Sequence, residues 1–158
     1  MPGAGKSTVG ILLAKLTGLR FVDTDLDIQV REEATLQEIL EQHDYRYLRQ
    51  VEEDVLLNLR LDHALVSTGG SVVYSAPSMA RLKSLGPVIY LKTELATLEE
   101  RVAAAPLRGI ASDGEQSFAQ VYAERTPLYE RYADYILVTG DNTPQQVATA
   151  ALQLLPRN

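Results

Sequence analysis

The sequence predicts an α/β domain of three layers, a parallel sheet with helices on both faces. Three observations carry this. Short β-type apolar runs alternate with longer stretches at helical spacing. The glycine-rich stretch MPGAGKST opens the first helical run. The chain has 158 residues, 46% hydrophobic and 23% charged, which suits one domain with its own core. No repeat, low-complexity stretch or linker divides it, so residues 1–158 are read as a single domain.

From Lys6 to Leu16, Val9, Leu12, Leu13 and Leu16 recur at helical spacing, and the run stops before Gly18. Arg20 to Asp23 (RFVD) is too short for a helix and reads as a strand. Thr35 with Glu38 forms a capping box. Helical pattern then continues to about Leu61, with an interruption near His43 and Asp44. Ala64 to Ser67 (ALVS) is a second strand that runs into Thr68-Gly69-Gly70. A helix near Ser78 to Ser84 and a strand at Pro87 to Leu91 follow. Leu95 to Ala103 is helical, residues 104–114 read as a loop, and Phe118 to Tyr132 is helical again. Tyr135 to Thr139 is the fourth strand. Thr143 and Pro144 start a last helix ending near Leu154, with proline where its missing N–H costs little.

Charge narrows the function classes. Fifteen Lys and Arg against 21 Asp and Glu leave a net charge of -6, which excludes the basic face that DNA, RNA or an anionic membrane would need. There is no cysteine, hence no disulfide framework, thiolate nucleophile or cysteine-bound zinc. No apolar run approaches the ~18 residues of a membrane span, and no signal-peptide pattern is present. The expectation is a cytoplasmic protein whose partner is a small molecule.

The first eight residues hold most of the chemistry. GxGKST at a helix start is the second half of the phosphate-binding pattern GxxxxGK[ST]. In that pattern backbone N–H groups and the helix N-terminus point at phosphate oxygens, the lysine, here Lys6, reaches the β and γ phosphates, and the hydroxyl of Ser7 takes Mg²⁺. The alternative is an ordinary helix start with an exposed lysine. The pattern's first glycine would fall one place before Met1, and the strand that leads into such a loop is missing from this chain. That strand is central in a parallel sheet, so its two neighbours are expected to have unpaired ladders.

Asp23 and Asp25 fall at a strand's carboxyl end, where open α/β sheets bind ligands. One carboxylate suits a site near Mg²⁺ and the other an acceptor hydroxyl, unless Asp25 only caps the next helix. Asp27 is assigned to a solvated helix face. Arg49 is placed to pair with Glu52 or Glu53 on a helix surface, and Arg46 lies one turn earlier. Arg125 is placed likewise, with Glu124 or Glu130 as surface partners. His43 and His63 read as surface or helix-end residues, and the tyrosines of 122–132 as helix packing.

GxGKST, then Asp23-Thr24-Asp25, then LRxxE (Leu48, Arg49, Glu52), then Thr68-Gly69-Gly70, then Arg108, then ERxPLYxxxAD (Glu124 to Asp134) resembles the shikimate kinase family over essentially the whole chain. The resemblance implies a P-loop kinase fold and ATP-dependent phosphorylation of the 3-hydroxyl of shikimate, with Mg²⁺. It implies that Lys6, Asp25 and Arg108 are catalytic, Arg108 swinging over the γ-phosphate from a lid at residues 104–115. The loop from Gly3 to Thr8 and Arg108 would hold ATP, with Ser7 and Asp23 at the metal. An acceptor-binding region at 25–61 would contribute Asp25 and Arg49, joined by Gly69, Gly70 and Arg125; the two arginines would clamp the acceptor's carboxylate. A monomer is expected.

Besides Asp44-Tyr45 and Leu48-Arg49, which stand where Gly-Glu and Phe-Arg are usual, the chain departs from the pattern in three places. Ser71 stands at a usual third glycine. Gly109 stands at a usual proline and is expected to loosen the lid. Asp141-Asn142-Thr143 replaces an arginine near the adenine. The first two leave room for another hydroxy acid such as gluconate; the missing strand leaves room for a nucleotide-binding homologue with impaired catalysis.

Overall fold

The structure is a computed structural model and describes residues 1–105 and 109–155. Four strands form in the expected places: β1 (Arg20–Asp23), β2 (Ala64–Ser67), β3 (Ile89–Lys92) and β4 (Tyr135–Val138). The helices are α1 (Lys6–Thr17), α2 (Thr24–Glu32), α3 (Leu36–Gln42), α4 (Tyr45–Asn58), α5 (Ala76–Leu85), α6 (Leu95–Ala103), α7 (Phe118–Tyr132) and α8 (Pro144–Leu154).

Side-chain caps explain most helix starts. Thr35, Ser117 and Thr143 each make a full capping box, with Glu38, Gln120 and Gln146. Asp44 accepts from the Tyr47 N–H and starts α4, which accounts for the break in helical pattern at 43–44. α4 stops at Asn58 rather than near Leu61. Leu59 turns extended, and its carbonyl accepts from Arg81 at 2.6 Å.

β1 pairs in parallel with β2, Val22 opposite Val66, and β3 pairs in parallel with β4, Tyr90 opposite Ile136. Among the described residues the two pairs do not join. The expected single sheet is therefore two two-stranded sheets. A cavity of about 620 Å³, lined by Leu65 and Val66 of β2 and Ile89 and Leu91 of β3, lies between them. Met1 lines the same cavity and is 3% exposed. The unpaired ladders expected on either side of the first strand's place are thus the inner edges of β2 and β3.

The sheets separate two cores. On one face Val9 and Leu13 of α1 meet Val147, Ala148 and Ala151 of α8. On the other, Leu56, Met79, Leu98, Val121 and Tyr129 pack with Tyr90. Ile89 and Tyr90 divide between these cores, as alternate positions of a strand must. A third cluster, Ile28, Leu36, Ile39, Leu48, Val51 and Val55, holds α2, α3 and α4 together, and Ala111 closes it.

Candidate active site

The loop of residues 1–5 turns tightly into α1. Gly5 is the residue before the helix, with φ 85°, and Gly3 has φ 78°. Side chains strain that left-handed region, so both glycines are needed for the turn. The Lys6 ammonium folds back and donates to the Met1 carbonyl at 2.9 Å. From α6, Arg101 donates to the Gly3 carbonyl at 3.3 Å. Ala4 is buried, and Thr8 faces solvent.

The strand ends meet this helix start. Ser7 donates to the Asp23 carboxylate at 2.5 Å and lies 3.4 Å from the Ser67 hydroxyl at the end of β2. Ser7, Asp23 and Ser67 form a set of hard oxygens, the chemistry Mg²⁺ prefers, with phosphate and water completing its shell. Among the described residues no group of three His, Cys, Asp or Glu side chains is placed to hold a metal ion. Asp23, not Asp25, is the cap of α2: its side chain accepts from the Asp25 N–H. Asp25 instead lines a small cavity beside Lys6, Glu52, Gly70 and Arg125.

Arg49 and Arg125 converge, and on neither side does the surface ion-pair reading hold. Arg125 is 1% exposed. Its guanidinium donates to the Ala111 carbonyl at 2.7 Å, and that of Arg49 donates to the same oxygen at 3.1 Å. Arg49 also lies 3.8 Å above the Tyr74 ring and 4.8 Å from Tyr45. The carboxylates that could have paired with them are engaged elsewhere: Glu53 with Ser75, Glu124 with Tyr74 and Gln116, and Glu130 with Lys92. Arg46 is exposed beside Tyr45, outside this group.

Glu52 is the residue whose environment the sequence hides. It is 5% exposed and accepts from the Ser71 hydroxyl. Burial pushes its carboxyl up to about 7, with the neighbouring Asp25 charge adding to the rise, while the Ser71 bond and then Arg125 and Arg49 oppose it. Gly69 packs directly on this carboxyl, where a Cβ would overlap Glu52 Oε1. The Gly70 carbonyl accepts from the buried Tyr129 hydroxyl at 2.7 Å. Residues 70–74 form a 3-10 helix unforeseen in the sequence, and it carries both Ser71 and Tyr74 into the group.

Lys6, Asp25, Gly69, Gly70 and Arg125 thus border one cavity, with Arg49 at its edge through Ala111, and Ser7 with Asp23 beside it. Arg108 lies outside the described residues. His43 stacks on Tyr47 at 4.1 Å, and His63 sits in the turn before β2, away from the group.

The model of the family described as "SKI: Shikimate kinase" matches residues 2–156. The chain belongs to the shikimate kinase family. It is 35% identical over 158 residues to Shikimate kinase 2 of Yersinia pestis (strain Pestoides F), covering 97% of this chain and 90% of that one. With Shikimate kinase 2 of Enterobacter sp. (strain 638) it shares 32% over 152 residues, 93% of this chain and 87% of the relative. The fold matches a solved shikimate kinase from Acinetobacter baumannii in complex with shikimate, with a TM-score of 0.84 and 34% identity. That match covers 97% of this chain and 88% of the other. Members of the family are phosphotransferases with an alcohol acceptor and ATP as donor, and the three-layer P-loop kinase fold is the one seen here.

Proposed function

We propose that this protein transfers the γ-phosphoryl group of ATP to the 3-hydroxyl of shikimate. One observation carries the acceptor. Two guanidinium groups, one of them fully buried, share a single neutral oxygen, the Ala111 carbonyl. A buried guanidinium and a partly exposed one thus meet on a neutral oxygen, a weaker partner than a carboxylate. A carboxylate on the acceptor would offer each guanidinium a charged oxygen, and the planar fork suits that geometry.

The rest of the group supplies what phosphoryl transfer needs, which is alignment, charge neutralisation and exclusion of water. Residues 3–8 present backbone N–H groups to the phosphates, and the Lys6 ammonium leaves the Met1 carbonyl for the β and γ phosphates. Ser7 and Asp23 would hold Mg²⁺, which when bound neutralises phosphate charge. Asp25 orients the attacking hydroxyl by accepting its hydrogen bond. The Gly69-Gly70 backbone and the helical region 25–61 form the acceptor's pocket. Residues 104–115 act as the lid, and Arg108 belongs with them in this reading. One chain provides every group named, so a monomer suffices, and the cytoplasm is where ATP and a soluble acid acceptor meet.

The test is ADP release with ATP and Mg²⁺ in the presence of shikimate, gluconate or no acceptor, with Lys6→Ala as the blank. Shikimate-dependent release that disappears in Lys6→Ala is the expected result. Turnover with gluconate but not shikimate overturns the acceptor assignment.

A further inference from the structure

Ala111 is 5% exposed, although it lies in a loop. Its carbonyl occupies the point where Arg49 and Arg125 converge, and Ile110 and Gly109 wall the cavity that Asp25, Glu52 and Gly70 line. That cavity holds about 40 Å³. It has room for water and not for a six-membered ring acid.

Gly109 is what lets the segment seat so deeply. A Cβ there would lie 2.6 Å from the Leu36 carbonyl oxygen and 2.9 Å from the Gln37 nitrogen. Those are backbone atoms at the start of α3 and cannot swing aside. The φ of Gly109 lies outside the left-handed region, so the glycine is required for proximity alone. Besides the flexibility it lends the loop, the glycine lets residues 109–111 dock.

We propose that residues 109–111 are a built-in competitor for the acceptor's carboxylate, the Ala111 carbonyl holding the two-arginine clamp until an acid displaces it. This rests on the reading that Arg49 and Arg125 receive a carboxylate. A neutral carbonyl is a weaker partner for guanidinium than a carboxylate, so an acid displaces it and an uncharged polyol does not. The device therefore selects acids.

The test compares the wild type with Gly109→Ala. Hydrogen exchange of the peptide 109–116, without ligand, is expected to quicken by roughly ten-fold, because the added methyl unseats the segment. Shikimate should then bind roughly three- to ten-fold more tightly by calorimetry, since the open form no longer has to be selected. Unchanged exchange overturns the proposal, as does faster exchange with shikimate affinity unchanged or weaker. Faster exchange with shikimate bound by neither protein would fail the acceptor reading while leaving the seating of 109–111 in place.

If Gly109→Ala does not fold, the wild type decides. The ¹³C carbonyl resonance of Ala111 should move when shikimate saturates the site and stay put with ATP and Mg²⁺ alone. A resonance that stays put at saturating shikimate overturns the proposal.

Discussion

The Ser7 hydroxyl, at the first turn of α1, donates to the Asp23 carboxylate at the end of β1 across 2.5 Å. This bond ties the phosphate loop to the acidic strand end 16 residues later. It also aims two hard oxygens at one point, where a divalent cation would be neutralised by Asp23 and shared with phosphate.

Asp23→Asn should therefore raise the Mg²⁺ concentration for half-maximal turnover by roughly ten- to a hundred-fold, the usual scale for losing a metal-site partner. Shikimate binding, measured without nucleotide, should be unchanged. A Mg²⁺ dependence equal to that of the wild type would remove Asp23 from the metal's surroundings.

Glu52 gives the protein a pH-dependent stability. Its folded carboxyl is raised to about 7 from an ordinary 4.5, mainly by burial. An acid raised in the folded state binds its proton more tightly there than when unfolded. Its contribution is fully present below about pH 4.5, is lost as pH rises toward 7, and is constant above. The span corresponds to about 3 kcal/mol. Glu52→Gln keeps an acceptor for Ser71 without the charge, so the melting temperature of the variant relative to wild type should climb between pH 5 and pH 7.5. A constant difference across that range would show Glu52 to be ionised throughout.

Much of this was legible beforehand, and the residues explain what was not. The four strands stand within two residues of their predicted positions because short β-type runs between turn residues have few alternatives. The Thr35 and Thr143 caps were legible because a capping box is local, within four residues. The 3-10 helix at 70–74 was not, because GSVVY has no helical period; Ser71 reaches Glu52 across 19 residues and Tyr74 reaches Glu124 across 50. Glu52 read as a surface partner for Arg49 because its burial arises from such distant contacts. The Ala111 carbonyl was out of reach altogether, since any residue carries that oxygen.

Arg49 and Arg125 should respond differently although they face the same oxygen. Arg49 is partly exposed and stacked on Tyr74, so Arg49→Ala should raise the shikimate KM by roughly ten- to a hundred-fold with a small effect on melting. Arg125 is buried, and Arg125→Ala leaves a void and the Ala111 carbonyl with one donor fewer. It should raise KM by a similar factor and also destabilise the fold by about 1–3 kcal/mol. The ATP KM should hold in both. A shikimate KM unchanged in both variants would rule out the clamp.

The cavity between β2 and β3 makes a stability prediction. Among the described residues each strand is paired on one side only, and the space between them is about 620 Å³, walled by Val9, Leu13, Leu65, Ile89 and Leu91. Met1, which carries the chain's amino group, lines this cavity. Burial holds that group's pKa well below the usual value, with Lys6 and Arg125 adding repulsion. An apolar, β-branched extension of five residues joined to that amino group would bury about four side chains at roughly 1.5–3 kcal/mol each. Ordering five residues costs about 1.5 kcal/mol each, and ladder bonds to both edges add about 1 kcal/mol apiece. The balance is a gain of a few kcal/mol, or a melting temperature higher by about 5–10 °C. A Gly-Ser extension of equal length adds no buried surface and should leave melting unchanged. Equal melting for the two extensions would mean that the space between β2 and β3 does not accept a strand.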